Sequence, residues 1–216
     1  MNFEGAFRGL RNPLESWEKA DSKRMYNALD GLYEYILGSK DLDLAQRMIA
    51  AGDSDSKFMR QILVSVDITA PLYIWKEIDT YKVGTTANST STMHKIASTP
   101  ITIDCFETDD LDDTLEVDDS WYHVNDYITD TIISLEALRK KYNETKDQRY
   151  WKELIRWLPE GWLQTRTWTA NYAVLRNIYF QRQHHRLTEW HQFCKWIESL
   201  PYAKELILYQ KEKIDK

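Results

Sequence analysis

Cysteine is nearly absent from this 216-residue chain: Cys105 and Cys194 are the only two, too few for a disulfide framework. Cations are in deficit, 28 lysines and arginines against 34 aspartates and glutamates, giving a formal charge of −6 and a pI near 5.4. No basic run relieves the deficit, which argues against a nucleic-acid or anionic-membrane binder, since both need a basic face. No long apolar run is present, and the polar stretch Met1 to Leu10 reads as neither signal peptide nor membrane span. The expectation is a cytoplasmic protein, in which the Asn88 and Asn143 sequons carry no meaning. Internal repeats and low-complexity linkers are missing too. His184, His185, His191 and Glu189 cluster in the sequence, but not at the spacings of zinc sites, so no metal is expected. Cys194 and His191 lack a third, orienting group for nucleophilic catalysis.

Aromatics, by contrast, are abundant: nine tryptophans, thirteen tyrosines and six phenylalanines. They suit an oligomer interface or a site that stacks planar rings, without distinguishing the two. Acidic residues concentrate between Asp104 and Asp119, and this stretch reads as a solvated connection before a helix starting near Asn125. With 25.7 kDa and no break in composition, the chain reads as a single domain, residues 1–216. Apolar periodicity predicts helices over Leu42–Ala51, Tyr127–Tyr142, Arg149–Leu158, Trp168–Gln183, Thr188–Leu200 and Tyr202–Lys213. Gln61–Thr69 alternates as a strand ended by Pro71. The fold class expected is α/β or α+β, helix-rich.

Two segments carry the chemistry. Ala70-Pro71 leads into Thr80-Tyr81-Lys82-Val83-Gly84-Thr85-Thr86-Ala87-Asn88-Ser89-Thr90-Ser91, a hydroxyl-rich loop with one lysine. Hydroxyls, backbone N–H groups and a helix N-terminus can cradle a phosphate there. The same residues also read as an ordinary turn, with Gly84 at positive φ and Asn, Ser and Thr bonding to the local backbone. The second segment is Trp168-Thr169-Ala170-Asn171, followed by Leu175, Asn177 and Arg182. On a helix from Trp168, Asn171 and Arg182 share a face roughly 16 Å apart along the axis. An arginine on a buried face needs a partner, which an anionic ligand supplies.

In order and separation these segments resemble the substrate and flavin sites of the flavin-dependent thymidylate synthases. There an Ala-Pro strand end leads into R-H-R-x-x-S-x-N-x-x-S-x-R, and a later segment reads W-T-x-N-x-x-x-L-x-N-x-x-x-x-R. Trp168, Thr169, Asn171, Leu175, Asn177 and Arg182 match every specified position of the second pattern. In the first motif Lys82 falls on the last residue of R-H-R and Thr85 on the first serine. One extra residue then precedes Asn88, and Ser91 falls on the second serine. Thr80, Met93 and Ala173 stand where the family carries arginines, Tyr81 where it carries histidine, and Ser89 where glutamate often follows the asparagine.

The resemblance implies a central, mostly antiparallel sheet flanked by helices, and a homotetramer with FAD at subunit interfaces. It further implies a flavin-dependent methyltransferase that methylates dUMP or a related pyrimidine deoxynucleotide with methylenetetrahydrofolate and NADPH. Lys82, Ser91 and Arg182 inherit substrate-binding roles; Asn88, Asn171 and Asn177 inherit flavin-binding roles. No enzyme residue is assigned as a catalytic nucleophile, because in that family the flavin carries the reaction. Two alternatives stay open: a relative with a different nucleotide or carbon donor, and a non-catalytic protein that keeps the fold.

Overall fold

The computed structural model describes residues 1–29, 31–117 and 121–211. In chain order the elements are α1 (Phe3–Arg11), β1 (Lys23–Asn27), β2 (Leu32–Ile36), α2 (Ser39–Ala51), β3 (Leu63–Pro71), α3 (Leu72–Ile78) and β4 (Thr86–Ser89). There follow α4 (Thr92–Lys95), α5 (Val124–Thr145), α6 (Gln148–Arg156), β5 (Leu163–Asn171), α7 (Tyr172–Arg182) and α8 (Thr188–Glu198), then a π-helical turn at Ala203–Ile207. The chain gathers into two compact units. Unit 1 comprises Met1–Val66, Tyr81–Thr86 and the chain from Trp168; unit 2 comprises Asp67–Thr80 and Ala87–Thr167. β3, β4 and β5 each pass from one unit into the other.

The fold is helix-rich α/β with small antiparallel sheets, as expected. β1 and β2 form an antiparallel hairpin running from Lys23 opposite Ile36 to Asn27 opposite Leu32. β3, β5 and β4 form a second sheet in that order. In unit 1 the hydroxyls of Ser65 and Thr169 meet at 2.7 Å. In unit 2 Thr167 Oγ1 donates to Asp67 Oδ1 at 2.5 Å, and Thr69 and Thr165 share a hydrogen bond of 2.7 Å. Each rung advances two residues along β3 and retreats two along β5, the antiparallel pattern. Period-two alternation puts these polar groups on the open face and Val64, Ala70, Trp168 and Ala170 on the buried one.

Two of the predicted helices depart from expectation. Trp168–Asn171 is strand, not the first turn of a helix, and α7 starts at Tyr172. Trp168 and Ala170 are buried while Thr169 pairs with Ser65 on the other face. That period of two is too short to be recognised beside the period of 3.6 that follows. Asn171 is then the N-cap: its Oδ1 accepts from the Val174 N–H at 3.1 Å. Of the last predicted helix, Tyr202–Lys213, the structure gives only the π-helical turn; Glu212 and Lys213 lie outside the described residues.

In unit 1, α1 packs on α2 and α7 on α8, and Phe3, Phe7, Leu44, Leu175, Ile178 and Ile197 are buried. Its edge is fixed by an ion pair sealed from solvent. Arg11 Nε donates to Asp41 Oδ1 at 2.5 Å, and Asp41 Oδ2 accepts from the N–H groups of Asp21 and Ser22 at 3.1 and 2.8 Å. Asp21 in return accepts from the N–H groups of Lys40 and Asp41 at the start of α2, which hold its carboxyl below the usual range although burial pushes the other way. Asp21 and Asp41 thus cap each other's backbone.

Unit 2 packs α5 against α6 around Leu135, Leu154, Ile96, Ile101 and Phe106. On α5, Arg139 forks onto Glu136 at 2.6 and 2.7 Å, and Glu136 also accepts from the Ile101 N–H at 2.9 Å. The guanidinium is the largest cause of the fall of the Glu136 carboxyl from 4.5 to about 2. A depressed acid contributes stability above its unfolded pKa and loses it as pH falls through the folded one. Thermal melts of the wild-type chain should therefore lose the Glu136 contribution progressively from about pH 4.5 to about 2. Glu136→Gln should flatten the curve in that window; an unchanged acid limb would show that the pair contributes nothing.

Candidate functional site

The first motif returns to unit 1 at Tyr81, and there it meets the second. At the far end of α7, Arg182 Nε donates to the Tyr81 hydroxyl at 2.9 Å, and that hydroxyl donates to Gln181 Oε1 at 2.9 Å. Gln181 Nε2 in turn reaches Asn177 Oδ1 at 2.9 Å, one helical turn back. At the near end of α7, Asn171 Nδ2 donates to the Gly84 carbonyl at 3.5 Å. Gly84 has φ +78°, the turn conformation expected of it, and a Cβ there would stand 2.7 Å from Asn171 Nδ2. Residues Tyr81 to Gly84 are thus tied to both ends of α7.

Aromatic rings frame this meeting point. The Arg182 guanidinium lies 4.7 Å from the Trp190 ring centroid and 5.7 Å from that of Tyr81, and those two rings are edge-on at 6.4 Å. Phe193 extends the cluster edge-on, 5.7 Å from Trp190 and 5.8 Å from Trp168, and His185 borders Trp190 at 6.2 Å. A guanidinium held against ring faces keeps its charge and its planar fork. The arrangement can present that fork to a phosphate or a carboxylate.

Lys82 is exposed in unit 1 beside Tyr81, and Asn177 is exposed on α7. Asn171 is buried and spends its side chain on the Gly84 and Val174 backbone. Asn88 and Ser91 belong to unit 2. Asn88 is exposed on β4, and the Ser91 hydroxyl caps α4 by accepting from the His94 N–H at 3.2 Å. The loop around Ser91 is held by Gln164, whose Nε2 donates to Thr90 O and Thr92 Oγ1, each at 3.0 Å. Gln164 also accepts from Arg166 Nε at 2.9 Å; Arg166 pairs with Asp79 at 2.9 and 3.1 Å and lies 4.3 Å from the Trp75 ring centroid.

Tyr81, Gln181 and Trp190 were not singled out by sequence as site residues. The signal for Tyr81 was its place in the first motif, where the resemblance has histidine; Gln181 and Trp190 had none. Neither cysteine lies in this cluster's hydrogen-bond network, and burial pushes the Cys194 thiol up to about 11, so it stays protonated at neutral pH. His191 Nε2 donates to the His185 carbonyl at 2.6 Å, and His185 Nδ1 accepts from the Leu187 N–H at 3.2 Å.

The fold is similar to that of solved flavin-dependent thymidylate synthases. Two crystal structures of the flavin-dependent thymidylate synthase ThyX from Helicobacter pylori, each with FAD and dUMP, superpose on the chain with a TM-score of 0.63. One is 17% identical and covered over 91% of its length, the other 16% and 90%, and both matches cover 94% of this chain. At that identity the likeness establishes the fold. No protein-family model and no curated protein sequence matches the chain. Among the described residues no helix is long and apolar enough to cross a membrane.

Proposed function

We propose that this chain is a FAD-dependent thymidylate synthase-like enzyme, cytoplasmic and homotetrameric, which methylates dUMP or a related pyrimidine deoxynucleotide with methylenetetrahydrofolate and NADPH. The observation that carries the reading is the hydrogen bond from Arg182 to Tyr81, which joins the two sequence motifs at one point. The donor set fits a phosphorylated ligand: a guanidinium stacked on Trp190, with the exposed ammonium of Lys82 next in sequence to Tyr81. It fits the polar edge of a flavin as well, since Asn177 and Gln181 are exposed amides bonded to one another, with Gln181 also accepting from Tyr81. Bound FAD would supply the hydride chemistry.

The chain's own residues then divide the work. Arg182 and Lys82 bind the nucleotide phosphate, and Tyr81 orients Arg182 by accepting its Nε–H. Asn177 meets the flavin directly. Asn171 acts by fixing the Gly84 turn, and the roles that the resemblance implies for Asn88 and Ser91 remain part of the reading. Tyr81→Phe removes the acceptor of the Arg182 bond and should cost about 1 kcal/mol of nucleotide binding, roughly fivefold in Kd. Calorimetric titration with dUMP reads it directly; an unchanged Kd would relieve Tyr81 of that role.

A change of substrate within this chemistry is the second reading, supported by what replaces the motif arginines. The Thr80 hydroxyl is spent on the Glu77 carbonyl at 2.7 Å, and Met93 is exposed and carries no charge. Fewer cations suit a ligand with fewer anionic groups. Rescue of a thymidine-requiring strain, with FAD-dependent turnover of dUMP by the purified protein, supports the first reading. Turnover of another pyrimidine nucleotide supports the second, and binding without turnover leaves a non-catalytic relative.

A further inference from the structure

Residues 96–138 contain 12 of the chain's 34 acids and not one lysine or arginine, so the remaining residues hold all 28 cations against 22 acids. In unit 2 this stretch supplies α5 and the segment packed on it, and an apolar furrow of about 470 Å³ runs along the outer side of α5. Its floor is Tyr127, Thr131, Ser134 and Leu138, spaced four, three and four residues apart on one helix face, and Trp157 forms the opposite wall. Eleven residue steps along the helix, from Tyr127 to Leu138, make the furrow roughly 16 Å long, three turns. Past Tyr127 and Thr131 it deepens into a recess of about 170 Å³ between Phe106, Leu111 and Ile132.

Two aromatic side chains stand open on this furrow: Tyr127 is 64% exposed and Trp157 65%. The Trp157 Nε1–H is fixed by Glu153 Oε2 at 2.9 Å, which leaves the ring face for contact. The Thr131 and Ser134 hydroxyls of the floor are turned onto the helix's own carbonyls at 2.8 Å, and exposed aromatics beside such a surface are the composition of an interface centre rather than of ordinary surface. The charges in the lining, Asp130 and Glu107, are both negative. Arg156, beside Trp157, is neutralised by Glu153 at 2.5 Å.

We propose that this furrow docks an amphipathic helix of a partner protein, one whose apolar stripe carries flanking lysines or arginines. A furrow three helical turns long, walled by exposed aromatic rings, has the dimensions to take a helix laid in a groove. The sign of the surrounding charge selects a cationic partner and repels an acidic one, nucleic acid included. The furrow lies wholly within unit 2, and the inference is independent of the proposed enzymatic reading.

The test titrates the full chain, by calorimetry, with a synthetic helix of about 18 residues built from leucine and lysine at amphipathic spacing, and with its leucine–glutamate counterpart. The lysine peptide should bind at least about tenfold more tightly, weakening with added salt. Trp157→Ser and Tyr127→Ser, both at exposed positions, should each weaken it by about tenfold or more. Equal binding of the two peptides, or binding undiminished in both variants, overturns the proposal. So does a change in the chain's own sedimentation coefficient caused by either substitution, because a second copy would then be what covers the furrow.

Discussion

Arg182→Ala lowers nucleotide affinity by about one to two decades, the loss expected when a charge-assisted contact of roughly 1.5 to 3 kcal/mol is removed. The residue is placed for the effect at the C-terminal end of α7, with its guanidinium against Trp190 and its Nε bonded to Tyr81. Sequence reasoning predicts that folding stability without ligand changes little or even rises, on the premise of an underpaired arginine on an apolar face. The structure revises that premise. Arg182 has aromatic and hydrogen-bonding neighbours, so alanine should cost about 1 kcal/mol of stability. Calorimetric dUMP titration beside a denaturant melt separates the two quantities. Intact affinity in a strongly destabilised protein would make Arg182 a structural residue and would remove the main support for a nucleotide site.

The largest effect on stability is expected at Arg11 and Asp41. Breaking a buried pair by removing one partner costs about 3 to 5 kcal/mol, because the other charge is left uncompensated. Both side chains are almost completely enclosed, 5% and 1% exposed. Asp41→Ala also strands the N–H groups of Asp21 and Ser22, and it leaves Arg11 with only the carbonyl and hydroxyl of Ser16, at 3.3 and 3.4 Å. Arg11→Met keeps most of the volume but isolates the carboxylate. Each single substitution should lower the urea midpoint sharply, whereas a paired Arg11→Met, Asp41→Leu variant should recover much of the loss. Single variants with wild-type midpoints would show that the enclosed pair contributes nothing.

The parts of the fold legible in the sequence are those with one dominant periodicity. α5, α6 and α8 and the strand ending at Pro71 were read to within a few residues at each boundary, because their apolar positions repeat at one spacing over several turns or rungs. β5 escaped recognition because Trp168 and Ala170 run straight into the Leu175–Ile178 stripe with no glycine or proline between, so strand and helix merged. The hairpin β1–β2 escaped for another reason: Met25, Tyr26, Leu32 and Tyr33 are all exposed, so no polar face marks an alternation. α1 carries a weaker signal, Phe3, Phe7 and Leu10 at helical spacing over little more than two turns, and all three are buried.

The candidate site was legible at its ends but not in its wiring. Sequence could bring Lys82, Asn171, Asn177 and Arg182 forward through motif spacing. It could not show that Tyr81 bridges 101 positions to Arg182, or that Asn171 is an N-cap whose amide also closes on Gly84. Those are consequences of β5 delivering α7 beside the returning loop. Nor did spacing reveal that Arg166 is neutralised by Asp79 while it lies on Trp75, since neither partner is near it in sequence.

The most direct measurement is the absorbance spectrum of the purified chain titrated first with FAD and then with dUMP. The account predicts saturable flavin binding with a shifted spectrum, a further change on adding dUMP, and weakening of that second change by Arg182→Ala with flavin binding retained. A protein that stays colourless, with FAD spectrally unaltered at any concentration, would contradict the account.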